Sequence, residues 1–178
     1  GTVFVLPRAN RVALRRGTRH GADGDLNRKF PPHSNPTTPL ARAIWDALER
    51  RDPDVVVDLH SSKGLYGVHP EFVGQAVYPT DVGEAPRNAG EAVAAVNEST
   101  VPWYMPFHTY DRGNRITGTA PMLVHKVAGD LQRPGYIVET TKYLLDVDTR
   151  TEWEARLAER LLSRHGHHPQ RPETGPGT

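Results

Sequence analysis

A three-layer α/β domain with a mixed, mostly parallel central sheet is what the sequence predicts. Three observations predict it: the apolar run "VVVDLH" at 55–60, the apolar run "GYIVETT" at 135–141, and amphipathic helical periods between and after them. Apolar runs without polar alternation suit strands covered on both faces, and helices joining such strands supply the cover. A chain of 178 residues is the size of one domain and can bury a sizeable core, although its hydrophobic share is only 37%.

The elements follow in order. "VFVLP" (3–7) reads as a buried strand already under way at the first residues, and the Arg- and Gly-rich segment 10–34, without helical or strand period, reads as a long loop. Loops of that length in compact domains are mostly functional or disordered. Thr38 can cap a helix with Pro39 in its first turn, with Leu40, Ile44 and Leu48 forming its apolar face and Asp52-Pro53 ending it. Placed between "VFVLP" and "VVVDLH", that helix predicts a right-handed βαβ unit with the second run as a central strand. "EFVGQAVYP" (71–79) is a further strand, and Ala92, Val93 and Val96 mark a helix over about 84–98. "GYIVETT" is another buried strand, and Trp153, Leu157 and Leu161 set the stripe of a last helix. Residues 1–164 form the predicted domain; 165–178, rich in Pro, Gly and His, are expected to be a disordered tail.

Composition removes several classes of function. The absence of cysteine rules out disulfides, thiol catalysis and cysteine-bound zinc, so any metal site must use His, Asp or Glu. A net charge of +1 argues against a dedicated nucleic-acid binder, and no apolar stretch approaches a membrane span. Charge is uneven, however: the first 51 residues hold ten Lys or Arg against four Asp or Glu. Such a run is either a solvated basic face or an anion-attracting cleft, and the second makes a carboxylate-bearing small molecule the expected partner.

Chemistry-bearing residues gather at the strand ends and in the long loop. His60 closes an apolar run, the position from which an open α/β sheet delivers a ligand or metal-binding group to its crevice. Asp58 shares its strand face and can orient the imidazole. Glu139, near the end of the other apolar run, would open into the same crevice and could act there as general base. Asn27 and Arg28 suit a carboxylate, through a two-bond guanidinium fork and an amide donor, while Arg19 could stabilise an oxyanion. Asp23, Asp25 and Asn27 open like a calcium-binding loop, but Arg28 stands where such loops need Gly and Ser34 where they need Glu. Ser61 and Ser62 lack a nucleophile-elbow motif. His20, His33, His69, His108 and His125 have no ligand-like spacing, and the cluster His165, His167, His168 suits adventitious metal. Tyr104, Tyr110 and Arg115 are candidates to line a substrate pocket.

In their order and spacing, "NRVAL…TRHGADGDLNRKFP", "DLHSS" and "YIVETT" resemble the succinylglutamate desuccinylase/aspartoacylase family, a branch of the zinc carboxypeptidase-like hydrolases, over about residues 2–142. The resemblance implies zinc as cofactor, with His60 as a ligand and Glu139 activating the water. It assigns Asn27 and Arg28 to the substrate carboxylate and Arg19 to the scissile carbonyl. It also implies an H-x-x-E pair of zinc ligands upstream, and no H-x-x-E occurs in this sequence. The expectation is therefore a chain lacking its N-terminal metal-binding segment, whose complete form deacylates a small N-acyl amino acid. Two alternatives stand beside it: a metallocarboxypeptidase acting on peptides or cell-wall fragments, and a non-catalytic anion-binding module.

Overall fold

Val56 and Val57 open one long strand, β1 (Val56–Ser62), and Ile137, Val138, Thr140 and Thr141 fill the other, β4 (Gly135–Thr141). The computed structural model describes residues 1–167. β1 and β4 pair in parallel, with Val56 opposite Gly135 and His60 opposite Glu139. β2 (Ala76–Pro79) runs antiparallel on the other side of β4, and the short β3 (Asp111–Arg112) runs parallel to β2. The order is β1-β4-β2-β3, a mixed sheet in which two of three pairings are parallel.

Helices cover both faces. On one, α3 (Ala85–Ser99) and α5 (Val147–Arg164) bring Ala89, Val93, Trp153, Leu157 and Leu161 against Val77, Tyr136 and Val138 of the sheet. On the other, α2 (Pro39–Arg51) and α4 (Leu123–Lys126, continued by a π-helical turn Val127–Leu131) pack Trp45 and Val127 onto Val56. Strand alternation then puts 56, 58 and 60 of β1, and 135, 137 and 139 of β4, on the α2/α4 face. Capping residues set the helix starts: Thr38 Oγ1 accepts Ala41 N–H at 3.3 Å, and Asp146 Oδ1 accepts Thr149 N–H at 2.8 Å.

Several expectations need correction. "VFVLP" is not a strand: Val3, Phe4, Val5 and Leu6 are 42–72% exposed, and among the described residues nothing pairs with the outer edge of β1. A strand exists only by pairing, so the first half of the expected βαβ unit is missing. For the same reason β1 is an edge strand rather than a central one, with Leu59 48% exposed. Segment 10–34 is not featureless. It holds α1 (Arg11–Arg16), capped by Asn10 and closed by Gly17 at φ 61°, then a 3₁₀ turn Leu26–Arg28. On α2 the buried stripe is Ala41, Ile44 and Trp45, with Leu48 partly covered and Leu40 outside it. Of 71–79 only the last four residues pair; Gly74 lies so close to β1 that a Cβ there would meet Ser62 Oγ at 1.6 Å. Order continues past Arg164, where His165 Nε2 sits 2.8 Å from Tyr136 Oη; residues 168–178, including His168, lie outside the described residues. Among the described residues no helix is long and apolar enough to cross a membrane.

Candidate active site

The register of β1 and β4 makes His60 and Glu139 cross-strand neighbours near the carboxyl ends of two parallel strands. Their separation is 3.8 Å, from His60 Nδ1 to Glu139 Oε1. Two residues back on β1, Asp58 Oδ2 lies 2.9 Å from His60 Nε2. A proton on Nε2, shared with Asp58, leaves the lone pair on Nδ1, the nitrogen on the Glu139 side. Burial has opposite effects on the two groups. It pushes the Glu139 carboxyl up, aided by Asp58 and opposed by His60 and Arg19, with a net rise. For His60, burial is the largest single influence and disfavours the charged ring. The hydrogen bond and charge of Asp58, with the charge of Glu139, outweigh it against a smaller push from Arg19, so its pKa lies above the ordinary value.

The 3₁₀ turn brings the loop residues to this face. Asp25 Oδ1 accepts Asn27 N–H at 3.1 Å, which starts the turn. Asn27 Oδ1 accepts Leu123 N–H at 2.9 Å, and Asn27 Nδ2 stands 3.3 Å from His60 Nε2; with Nε2 donating to Asp58 the two nitrogens are both donors, so the amide packs beside the ring without bonding it. Arg28 Nη1 donates to Asn27 O at 2.8 Å, and its charge is felt by Asp25 and His125. Arg19 donates from Nε and Nη2 to Asp25 Oδ2 at 3.0 and 2.9 Å, and its charge reaches His60 and Glu139. The structure thus gathers His60, Glu139, Asp58, Asn27 and Arg19, with Arg28 directed toward the flank of α4.

Three groups escaped the sequence reading. Asp25 was weighed only as a calcium ligand, yet it holds both Arg19 and Asn27. Lys126 is 2% exposed and donates to Pro31 O, Ser34 O and Asp130, with Trp45 4.4 Å away beneath its ammonium, pinning the loop to α4. Glu154 of α5 sits behind the sheet, within reach of Thr140 and the charges of His60 and Glu139. Lys126 and Glu154 belong to no motif, and the part Asp25 plays inside its motif shows only in tertiary contact. Of the proposed pocket aromatics, Tyr110 is instead a core residue, 2% exposed and 2.7 Å from Thr140 Oγ1; Tyr104 is exposed against Trp103. Arg115 pairs with Asp81 at 2.7 Å. Ser61 Oγ accepts from Arg150 of α5, on the face opposite His60.

The donor set can be tested against a metal. Catalytic zinc is held by three protein ligands, and among the described residues no group of three His, Asp or Glu side chains is placed to hold a metal ion. Asp58 is drawn to Nε2, the nitrogen remote from Glu139. His60 and Glu139 alone do not make a zinc site.

With this sheet order and site placement, the chain has the zinc carboxypeptidase-like fold. It is similar to Helicobacter pylori Csd4, described as a D,L-carboxypeptidase, in its mDAP-bound form: TM-score 0.76, 23% identity, 92% of this chain and 43% of that one. The tripeptide-bound Csd4 structure gives TM-score 0.72 at 22% identity over 90% of this chain and 42% of that one. Murein-tripeptide amidase MpaA from Escherichia coli O157 gives TM-score 0.53 at 16% identity, covering 92% of this chain and 67% of that one. The chain therefore spans about two fifths of the length of the Csd4 structures it matches. No protein-family model matches the chain, and no curated protein sequence matches it.

Proposed function

We propose that the complete protein is a zinc-dependent hydrolase that cleaves an amide bond next to a free carboxylate, acting on peptides or cell-wall peptide fragments. One observation carries the reading: a buried carboxyl, Glu139, stands 3.8 Å from Nδ1 of His60, an imidazole whose Nε2 lies 2.9 Å from the Asp58 carboxylate. In this reading Glu139 takes a proton from the attacking water and passes it to the leaving amine, which its raised pKa suits. Arg19 stabilises the oxyanion, and Arg28 holds the substrate carboxylate within a turn that Asn27 fixes in place. Zinc, which would polarise the bond under attack, would take His60 as one ligand and would need further ligands beyond the described residues.

The carboxypeptidase and amidase named among the similar structures support peptides as substrates. The strings "GDLNRKFP" and "DLHSS" favour a second reading, deacylation of a small N-acyl amino acid. Both use the same residues, so substrate profiling of the complete protein separates them: peptides with a free C-terminus are cut in the first, N-acyl amino acids in the second. Glu139→Gln in that protein is expected to lower turnover about a thousandfold while zinc content, measured by elemental analysis, is unchanged. Retained turnover removes Glu139 as the base. A complete protein that binds no zinc leaves the anion-binding module.

A further inference from the structure

The pairing registers line up one row of residues across the sheet. His60 of β1 stands opposite Glu139 of β4, Glu139 opposite Ala76 of β2, and Ala76 opposite Asp111 of β3. Paired residues point to the same face, so all four lie on the α2/α4 face that bears the site. The sequence neighbours of Asp111 agree with this. Arg112 turns to the other face, where its Cδ lies 3.7 Å from the position a Cβ on Gly90 of α3 would take, and Tyr110 is buried there against Trp153 of α5. With strands spaced about 4.8 Å apart, the Cα atoms of Asp111 and Glu139 are about 10 Å apart, and only the methyl of Ala76 stands between their side chains.

Asp111 is exposed; its backbone N–H donates to Gln75 O at 3.0 Å, while its carboxylate has no ion-pair or hydrogen-bond partner among the described residues. The two arginines that follow are directed elsewhere, Arg112 to α3 and Arg115 to Asp81 at 2.7 Å. On the same face, two residues along β2, Tyr78 is the diagonal neighbour of Asp111. Its hydroxyl donates to Val73 O at 2.9 Å, and Tyr66 packs nearly at right angles to its ring, 6.0 Å between centroids. Burial first, then Tyr66 and the charges of Glu139 and Asp111, hold that hydroxyl above its ordinary pKa, so the ring lies within the field of both carboxylates.

This corner is therefore anionic and aromatic. A ligand carboxylate would be repelled by Asp111 and Glu139 together. A divalent metal needs more oxygen ligands, and among the described residues no three His, Asp or Glu side chains are placed to hold one. An ammonium gains from both features, because the carboxylate accepts its N–H and an aromatic ring attracts a cation. We propose that Asp111, beside Tyr78, forms a subsite for a primary ammonium group on the substrate, across Ala76 from Glu139. The subsite selects peptides with a free amine over their acylated forms.

The inference rests on the function proposed above, and the experiment separates the two. Binding of Nα-acetyl-lysine, Nα,Nε-diacetyl-lysine, alanyl-alanine and N-acetyl-alanyl-alanine to this chain is measured by NMR titration. In at least one pair the free amine is expected to bind about fivefold more tightly than its acetylated counterpart and to shift the Asp111 amide and Tyr78 ring resonances. A response in the lysine pair identifies a side-chain amine, and one in the dipeptide pair a chain-terminal amine. Asp111→Asn should remove the difference and leave the acetylated ligands unchanged. Glu98→Gln, which deletes an exposed charge on α3, should change nothing. Arg28→Ala should weaken all four ligands together, since each carries a free carboxylate.

Equal binding within both pairs overturns the subsite, as does a preference that survives Asp111→Asn or is lost equally in Glu98→Gln. If Arg28→Ala changes nothing while Asp111→Asn still acts, the carboxylate grip is wrong and the ammonium subsite stands by itself. The reverse result keeps the grip and removes the subsite. If none of the ligands binds, both readings fall.

Discussion

Glu154 is held at a pKa of about 7, raised first by burial and slightly by Glu139, against the pull of Thr140, Arg150 and His60. Its Oε1 has no hydrogen-bond partner among the described residues. In the unfolded chain the same carboxyl titrates near its ordinary value of 4.5, so folding favours the protonated form. The stability this contributes is complete below pH about 4.5 and is lost as pH rises through about 7. Its size is on the order of 3 kcal/mol. Glu154→Gln is expected to flatten that decline and to be the more stable protein at pH 8; urea denaturation at pH 4.5 and 8 measures both. A variant whose stability falls with pH as steeply as the parent's would place the pH sensitivity elsewhere. Asp25 acts differently, through hydrogen bonds made as a carboxylate. Asp25→Ala should cost about 1 kcal/mol in the same assay, the usual loss for an N-cap, since Asn27 N–H and the Arg19 guanidinium both lose their acceptor.

At the scale of elements, the parts that could be read from the letters are those with their own period or cap. β4 appears where "GYIVETT" predicts it, α3 within a residue of its expected limits, and α2 behind its Thr38 cap. α1 could not be read, because six residues with one buried side chain, Ala13, carry no period to detect. β3 is two residues long and exists only through its pairing with β2. α4 is specified largely from outside itself: Asn27 fills its first N–H, and Lys126 ties it to the loop carbonyls of Pro31 and Ser34. Lys126→Met should destabilise the protein by about 3 kcal/mol, because it strands the buried acceptors and the Asp130 carboxylate. The expected observation is a lower urea midpoint with an unchanged slope. A neutral effect would mean that the loop and α4 are held together by apolar contact alone.

Over the whole molecule, stability rests chiefly on the face covered by α3 and α5. There Leu157 and Leu161 are fully buried against Tyr136 and Val138. Leu157→Ala is expected to cost about 3 kcal/mol, while Leu144→Ala, at a site 76% exposed, should stay within about 0.5 kcal/mol. Thermal unfolding of the pair checks this; similar losses would contradict a core centred on that face. The opposite, site-bearing face is more loosely built, its apolar contacts divided between a cluster around Phe30 and another around Trp45. The polar side chains gathered there, His60, Asp58 and Glu139 among them, reduce the apolar area available for burial.

By itself the sequence determined the layers of this protein and the identity of its central pair. Unbroken apolar runs make strands, 3.6-residue periods make their covers, and a His and a Glu stand near the ends of two such runs. Tertiary structure alone decided the rest: that 3–7 stay unpaired, that β1 and β4 pair so that His60 stands opposite Glu139, that Asn27 holds the first N–H of α4, that the charge of Arg28 reaches His125, and that Glu154 lies behind the sheet. The division has a physical cause. Periodicity records which face of an element avoids water, whereas pairing, hydrogen-bond partners and local fields depend on residues far apart in the chain.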